Sequence, residues 1–196
     1  MNFIFEELQK TYNYSNYQIA LIKYALSAIF SECSKLILLS LFYIYIGRFS
    51  YFFMSICVLL LLRINGGGFH CKHYITCLLF TFLLLLASVV ILPKYISLNP
   101  VIMLISLMIC LLINYYIGPI ASPFRPSPDS LLLKSCKNNC FLVIFIYIII
   151  VSIFNTNIIL NIYLTIGYWT IILHTLQMIL AKILMKGRYE YEIKEI

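Results

Sequence analysis

Long apolar runs, separated by short polar segments, dominate this chain of 196 residues. A membrane-spanning helix needs about 20 apolar residues, within a range of about 17–25. The runs that approach this length lie near residues 25–46, 49–63, 77–92, 99–118, 140–154 and 158–184. The pattern predicts an all-α, polytopic integral membrane protein, with about six membrane helices in a single domain over residues 1–196.

Two segments interrupt this pattern. Residues 1–18 mix acidic residues with Tyr and Phe, which favours a short amphipathic N-terminal helix with its rings at the level of the lipid headgroups. Residues 119–138 carry four prolines in their first half, which exclude a helix there. We interpret 119–138 as a cytoplasmic loop, which is either a simple linker or a lid that helps to bind a peptide.

The first apolar run contains two charged residues, Glu32 and Lys35. Their spacing of three places both side chains on one face of a helix, where they can pair. Pairing lowers the cost of burying charge in a membrane. We therefore expect an ion pair inside this helix.

Composition supports a membrane location and assigns the sides. The chain is 63% hydrophobic and 11% charged, whereas soluble domains average about 25% charged residues. The net charge of +7 follows the positive-inside rule, because basic residues fall between apolar runs, and nucleic acid is not expected as a partner. With the N-terminus inside, ten basic residues face the cytoplasm and only Arg48 and Lys94 face outward. This predicts a multi-pass protein of the cell membrane with residues 63–77 on the cytoplasmic side.

Residues 63–77, RINGGGFHCKHYITC, concentrate reactive side chains and flexible backbone. A histidine can hold a nearby cysteine as the nucleophilic thiolate, which makes His70 and Cys77 candidates for a catalytic pair. On one continuous helix the two would lie about 10.5 Å apart along the axis, which is too far. The glycines permit a loop through about 65–73 that brings His70 back over Cys77, in the first turn of a helix starting near Thr76.

Other residues of the segment have supporting or competing interpretations. Arg63 either stabilises negative charge in the site or simply marks the membrane edge by snorkelling, and Asn65 is a candidate to orient the imidazole. His70, Cys71, His73 and Cys77 are also suitable zinc ligands, although the adjacent positions 70 and 71 fit a tetrahedral site poorly. A peptide transporter is a further alternative, for which the polar residues at mid-membrane are Asn114, Asn161, His174 and Gln177.

The order and spacing of Arg63, Gly68, His70 and Cys77 resemble those of the AgrB family, the membrane-embedded cysteine endopeptidases of accessory gene regulator quorum sensing. Seven residues separate the arginine from the histidine and the histidine from the cysteine, and the later segment ASPFRPSP is also similar. The resemblance implies that His70 and Cys77 are catalytic and that Arg63 and Gly68 are needed. From the segment itself, Gly67 and Asn65 are further supporting candidates.

The resemblance also implies a substrate and a reaction. An AgrD-like precursor peptide loses its acidic C-terminal tail, and the resulting thioester is captured within the peptide to give a cyclic thiolactone or lactone. No cofactor is expected, and a homodimer is. Basic residues after the fourth run would bind the acidic tail, namely Arg125, Lys134 and Lys137. Cys71 and His73 lie beside the expected pair, and His73 is an alternative base because it lies four positions before Cys77 on one helix face. The spacing of His70 is the one that matches the family pattern.

Overall fold

In a computed structural model, residues 13–68, 73–96, 99–120, 130–154 and 158–194 are described, and they are almost entirely helical. Their helices are α1 (Asn16–Tyr45), α2 (Phe49–Gly66), α3 (Tyr74–Leu86), α4 (Leu92–Tyr95), α5 (Pro100–Ile117), α6 (Ser130–Phe154) and α7 (Ile158–Lys194). A π-helical turn, Ala87–Ile91, joins α3 to α4.

The predicted membrane helices are confirmed within the described residues. Six helical segments are long and apolar enough to span a membrane, with α3, the π-helical turn and α4 forming one of them, Tyr74–Tyr95. Helix α1 begins earlier than expected, because Ser15 and Gln18 form a reciprocal cap. The backbone amide of Gln18 donates to Ser15 Oγ, and the backbone amide of Ser15 donates to the side-chain oxygen Oε1 of Gln18. The predicted amphipathic helix therefore overlaps α1 at residues 16–18, and its residues 1–12 lie outside the described part of the chain.

Two predicted loops are shorter than expected. Helix α6 begins at Ser130, so residues 130–138 are helical and not part of the loop predicted over 119–138. No proline or glycine follows Pro128 until Gly167, and nothing local stops the helix from extending back toward the prolines. Likewise, α2 continues to Gly66, so residues 65–66 of the loop predicted through about 65–73 are helical. Helix α3 begins at Tyr74, and residues 69–72 lie outside the described part of the chain.

Helix α7 lies at the centre of the bundle and α1 at its edge. Over an 18-residue stretch of each span, 61% of the residues are buried in α7, against 11% in α1. The main apolar core joins α2, α5, α6 and α7, and its fully buried members include Leu62, Leu107, Ile144 and Ile171. A second core, which includes Tyr43, Leu59, Leu85 and Val89, fixes α1 and the α3 span against α2.

Buried hydroxyl and amide groups link these helices. Ser55 of α2 lies 3.0 Å from the Ser88 hydroxyl and 2.7 Å from the Thr170 hydroxyl. Asn114 of α5 donates to Thr175 of α7 at 2.7 Å. Hydrogen bonds of this kind hold helices together in lipid. Asn114 therefore has a structural role that does not require transport.

The helix ends group at two ends of the bundle. At the end that we call the glycine end, the Ile120 amide donates to the Gly66 carbonyl at 2.9 Å and Lys182 Nζ donates to the Ile117 carbonyl at 3.4 Å. At the opposite end, a short turn through Gly47 joins α1 to α2. Among the described residues, Arg63, Lys134, Lys137 and Lys182 belong to helix segments at the glycine end, and Arg48 and Lys94 to the opposite end. The charges are thus grouped as predicted, while the compartment that the glycine end faces stays a prediction.

Candidate active site

The connection after α2 is built by glycines that other segments approach closely. Gly67 has φ +75°, and a Cβ added there would lie 2.1 Å from the carbonyl oxygen of Ile120. Gly68 has φ +155°, and its Cβ would lie 2.2 Å from Gln177 Nε2. Only glycine offers both this backbone conformation and this space. The turn at Gly67 and Gly68 therefore packs between Ile120, which follows α5, and Gln177 on the side of α7.

Cys77 lies at the start of α3, the helix that follows this turn in the chain. The helix begins at Tyr74, two residues before the predicted position, with His73 as its N-cap. The Cys77 amide already donates to the His73 carbonyl at 3.2 Å, so it is not available to an external oxyanion. Its side chain is buried, with 8% of the residue exposed. The expected placement of Cys77 in the first turn of a helix is confirmed.

A network of charged groups begins at the Cys77 sulfur. Lys35 Nζ of α1 donates to Cys77 Sγ at 3.4 Å and to Glu32 Oε1 at 2.5 Å, which confirms the predicted pairing of Glu32 with Lys35. Arg63 Nη1 of α2 lies 3.9 Å from Glu32 Oε2 and donates to Thr81 Oγ1 at 3.4 Å. Three helices therefore bring their polar side chains together beside one thiol.

Helix α7 closes the other side of the glycine turn with two polar side chains. His174 is fully buried, and its Nε2–H donates to the Gly67 carbonyl at 3.3 Å. Gln177 is also buried and faces Gly68, and its amide nitrogen and oxygen have no hydrogen-bond partner among the described residues. His174 and Gln177, which were candidates for a transport pathway in the sequence, thus pack against the glycine turn.

The other predicted site residues have different placements. The Asn65 side chain donates to the Leu61 carbonyl of its own helix at 2.8 Å. Lys134 is exposed, and Lys137 lies over the Tyr115 ring with its Nζ 4.0 Å from the ring centre. His70 and Arg125 lie outside the described residues. The pairing of His70 with Cys77, the orienting role of Asn65 and the binding of an acidic tail therefore remain predictions.

The zinc alternative depends on residues that are only partly described. No group of three or more His, Cys, Asp or Glu side chains that could hold a metal ion occurs in the described ranges. Two of the four candidate ligands, His70 and Cys71, lie outside those ranges. The geometry thus provides no support for a metal centre and leaves the four-ligand alternative untested.

Sequence reasoning did not assign Lys35, Thr81, His174 or Gln177 to the site. Each is a buried polar residue within an apolar helix. Polar residues at such positions are costly and usually face a partner or a functional cavity. That signal marked Lys35, His174 and Gln177 as unusual, but it did not single out Thr81 or indicate which helices would meet.

The fold and the site define a multi-pass membrane protein with a buried cysteine among polar side chains at one end of its helices. A sequence model of the accessory gene regulator B family matches residues 1–180, and the chain belongs to this family. A protein of Clostridium beijerinckii described as AgrB-like is 29% identical over 157 residues, which cover 69% of this chain and 77% of that protein. No solved structure matches. Family membership associates the chain with the processing of the quorum-sensing peptide and implies an AgrD-like precursor as the substrate.

Proposed function

We propose that this protein is a cysteine endopeptidase that removes the C-terminal tail of an AgrD-like precursor and promotes cyclisation of the remaining peptide. The observation that carries this proposal is the position of Cys77. Its thiol lies in the first turn of α3 and contacts the ammonium group of Lys35, which pairs with Glu32. Arg63 faces the same Glu32 carboxylate. A helix N-terminus and neighbouring cations both favour the thiolate form of a cysteine.

The first half of the reaction cleaves the peptide bond. His70 accepts the proton of the Cys77 thiol, and the thiolate attacks the scissile carbonyl carbon. When the carbon–nitrogen bond breaks, the imidazolium of His70 returns the proton to the departing amine of the tail. The products are the free tail and a thioester between the precursor and Cys77.

The second half closes the ring. A thiol or hydroxyl group of the bound precursor attacks the thioester carbonyl, and the bond to Cys77 sulfur breaks. The proton of the attacking group passes to His70 and then to the released thiolate of Cys77. Burial of Cys77 limits hydrolysis of the thioester, so the internal nucleophile has time to react.

Charge and membrane placement suit a peptide substrate of this kind. Lys134 and Lys137 lie in the first turns of α6, and Arg125 precedes that helix in the sequence. On the cytoplasmic side, these basic residues would attract an acidic tail. An amphipathic leader would lie in the same interface, next to the end of the bundle that carries Cys77.

Co-expression of the chain with an AgrD-like precursor, followed by mass spectrometry, tests this proposal. We expect free tail and a trapped acyl-enzyme on Cys77, and loss of both with His70→Ala. Cys71→Ser and His73→Gln should retain most of the cleavage. Equal loss with His73→Gln would transfer the role of base to His73, and cleavage by a Cys77→Ala variant would end the proposal.

A further inference from the structure

Lys35 is an unusual neighbour for the Cys77 sulfur. It is one of the most buried charged residues of the described chain, with 2% of the residue exposed. Lysine is almost never fully buried unless its charge is paired. Its Nζ lies between two acceptors, Glu32 Oε1 and Cys77 Sγ, so the nucleophile occupies one of the places that an anion would take.

The charges around the sulfur do not balance while Cys77 is neutral. In the described residues, the network that begins at Sγ holds the cations of Lys35 and Arg63 and the single carboxylate of Glu32. The Glu32 side chain is 41% exposed, whereas those of Lys35 and Arg63 are 3% and 14% exposed. One positive charge therefore remains on the buried side, and a thiolate at Cys77 would neutralise it.

We infer that Lys35 is a further catalytic residue, whose ammonium group stabilises the Cys77 thiolate by direct contact with the sulfur. This inference rests on the proposed function. The thiol proton goes to the base of the reaction, which is His70 in that proposal, and Lys35 keeps its own proton. The same contact assists both halves of the reaction, because Cys77 is the attacking thiolate in cleavage and the leaving thiolate in ring closure.

A purely structural role for Lys35 makes a different prediction. Glu32 and Lys35 could be paired only to lower the cost of placing charge in a membrane helix. In that case the loss of Lys35 would alter the folding or accumulation of the protein. It would leave unchanged the way in which the reactivity of Cys77 depends on pH.

The rate of alkylation of Cys77 by iodoacetamide, measured at several pH values on the full chain in membranes, separates the two roles. Site-specific mass spectrometry follows Cys77, with the exposed Cys33 of α1 as an internal reference. Lys35→Met should slow alkylation of Cys77 at neutral pH by about tenfold or more, and the difference should disappear at high pH. Lys35→Arg should retain most of the rate, and Lys23→Met, which removes an exposed lysine of the same helix, should retain all of it.

The other ionisable groups near the site are controlled in the same experiment. In the described chain these groups are Glu32, Arg63, His73, Tyr74 and His174, and all of them are left intact in every variant. An unchanged pH profile in Lys35→Met would overturn the inference, even if cleavage of the precursor fell. Should that variant not accumulate, Lys35→Gln removes the charge but keeps a polar group, and the same result is expected.

The alkylation assay needs no precursor, so it is independent of the proposed function. Slower alkylation of Cys77 in Lys35→Met, together with normal precursor cleavage by Cys77→Ala, would refute the proposed function. It would still support the contact between the Lys35 ammonium group and the Cys77 thiolate. Normal alkylation in Lys35→Met, together with cleavage that depends on Cys77, would refute only the role of Lys35.

Discussion

The two ends of the helical bundle use the same residue types in different surroundings. At the opposite end, Gly47 has φ +68° and its added Cβ would meet nothing within 4 Å. At the glycine end, Gly67 has φ +75°, but its Cβ would collide with the backbone of Ile120. Both glycines permit a turn that other residues rarely adopt. Only Gly67 also allows two segments of backbone to touch.

Cysteine shows the same contrast. Cys57 belongs to a largely apolar groove of about 350 Å³ near the opposite end, which is lined by Phe49, Ser50, Phe53, Met54, Cys57 and Tyr163. Cys77 contacts an ammonium group and lies among polar residues from three helices. The comparison teaches that residue type alone does not mark a site in this family member. The packing around each residue marks the site, and paired substitutions at the two ends of the bundle measure how much this packing contributes to activity.

The largest effect is expected for the two cysteines. Cys77→Ala should reduce removal of the precursor tail by about 1,000-fold or more, because the nucleophile is lost. Cys57→Ala should keep the activity nearly unchanged, since its thiol lines an apolar groove. Mass spectrometry of the released tail measures both. Similar losses in the two variants would show that the ends do not differ in chemistry.

The next largest effect concerns the glycine pair. Both Gly47→Ala and Gly67→Ala place a side chain on a backbone with positive φ, which incurs strain of about 1–3 kcal/mol. Gly67→Ala additionally forces Ile120 away from the turn, and such a displacement near a reacting group can lower the rate by about 100-fold. Thermal unfolding of the solubilised protein should move to lower temperature in both variants, and further in Gly67→Ala because of the added collision with Ile120. Cleavage should fall only for Gly67→Ala. Equal cleavage by both variants would contradict a functional role for the close contact.

A smaller effect is expected for the arginine pair. Arg63→Met removes a group that donates to Thr81 and faces Glu32, and a charge-assisted hydrogen bond contributes about 1.5–3 kcal/mol. We expect cleavage to fall by about tenfold or more. Arg48→Met, at the N-cap of α2, should leave the cleavage rate intact. Initial rates at matched protein levels in the membrane provide the measurement, and a reversed order would favour a snorkelling role for Arg63.

The smallest effect concerns a pair of hydroxyl groups. Thr81 is buried and accepts the 3.4 Å hydrogen bond from Arg63, whereas the half-buried Thr165 donates to the Asn161 carbonyl of its own helix. Thr81→Val should lower the cleavage rate by about threefold, as expected for one modest hydrogen bond. Thr165→Val should have no effect on that rate. The double variant Arg63→Met/Thr81→Val should be no slower than Arg63→Met alone, and additive losses would mean that the two residues act separately.

Several features of the fold could be predicted from the sequence. The number of membrane helices follows from run length and composition, because lipid requires each spanning segment to satisfy its own backbone hydrogen bonds. The Glu32–Lys35 pair follows from helical spacing, and the position of Cys77 in a first turn follows from the glycines before it. The start of α6 at Ser130 could also have been predicted in place of a loop to residue 138, since the helix-breaking residues end at Pro128.

The sequence by itself therefore determined what is local: the membrane helices, the ion pair within α1 and the segment that carries the candidate nucleophile. Only the tertiary structure decided that Lys35 meets Cys77 across 42 positions, that Gly67 touches Ile120, and that Gln177 faces Gly68. The physical reason is that lipid-exposed helices are apolar on nearly every face. Their mutual arrangement depends on close packing and on buried polar contacts, which leave no periodic signal in the chain.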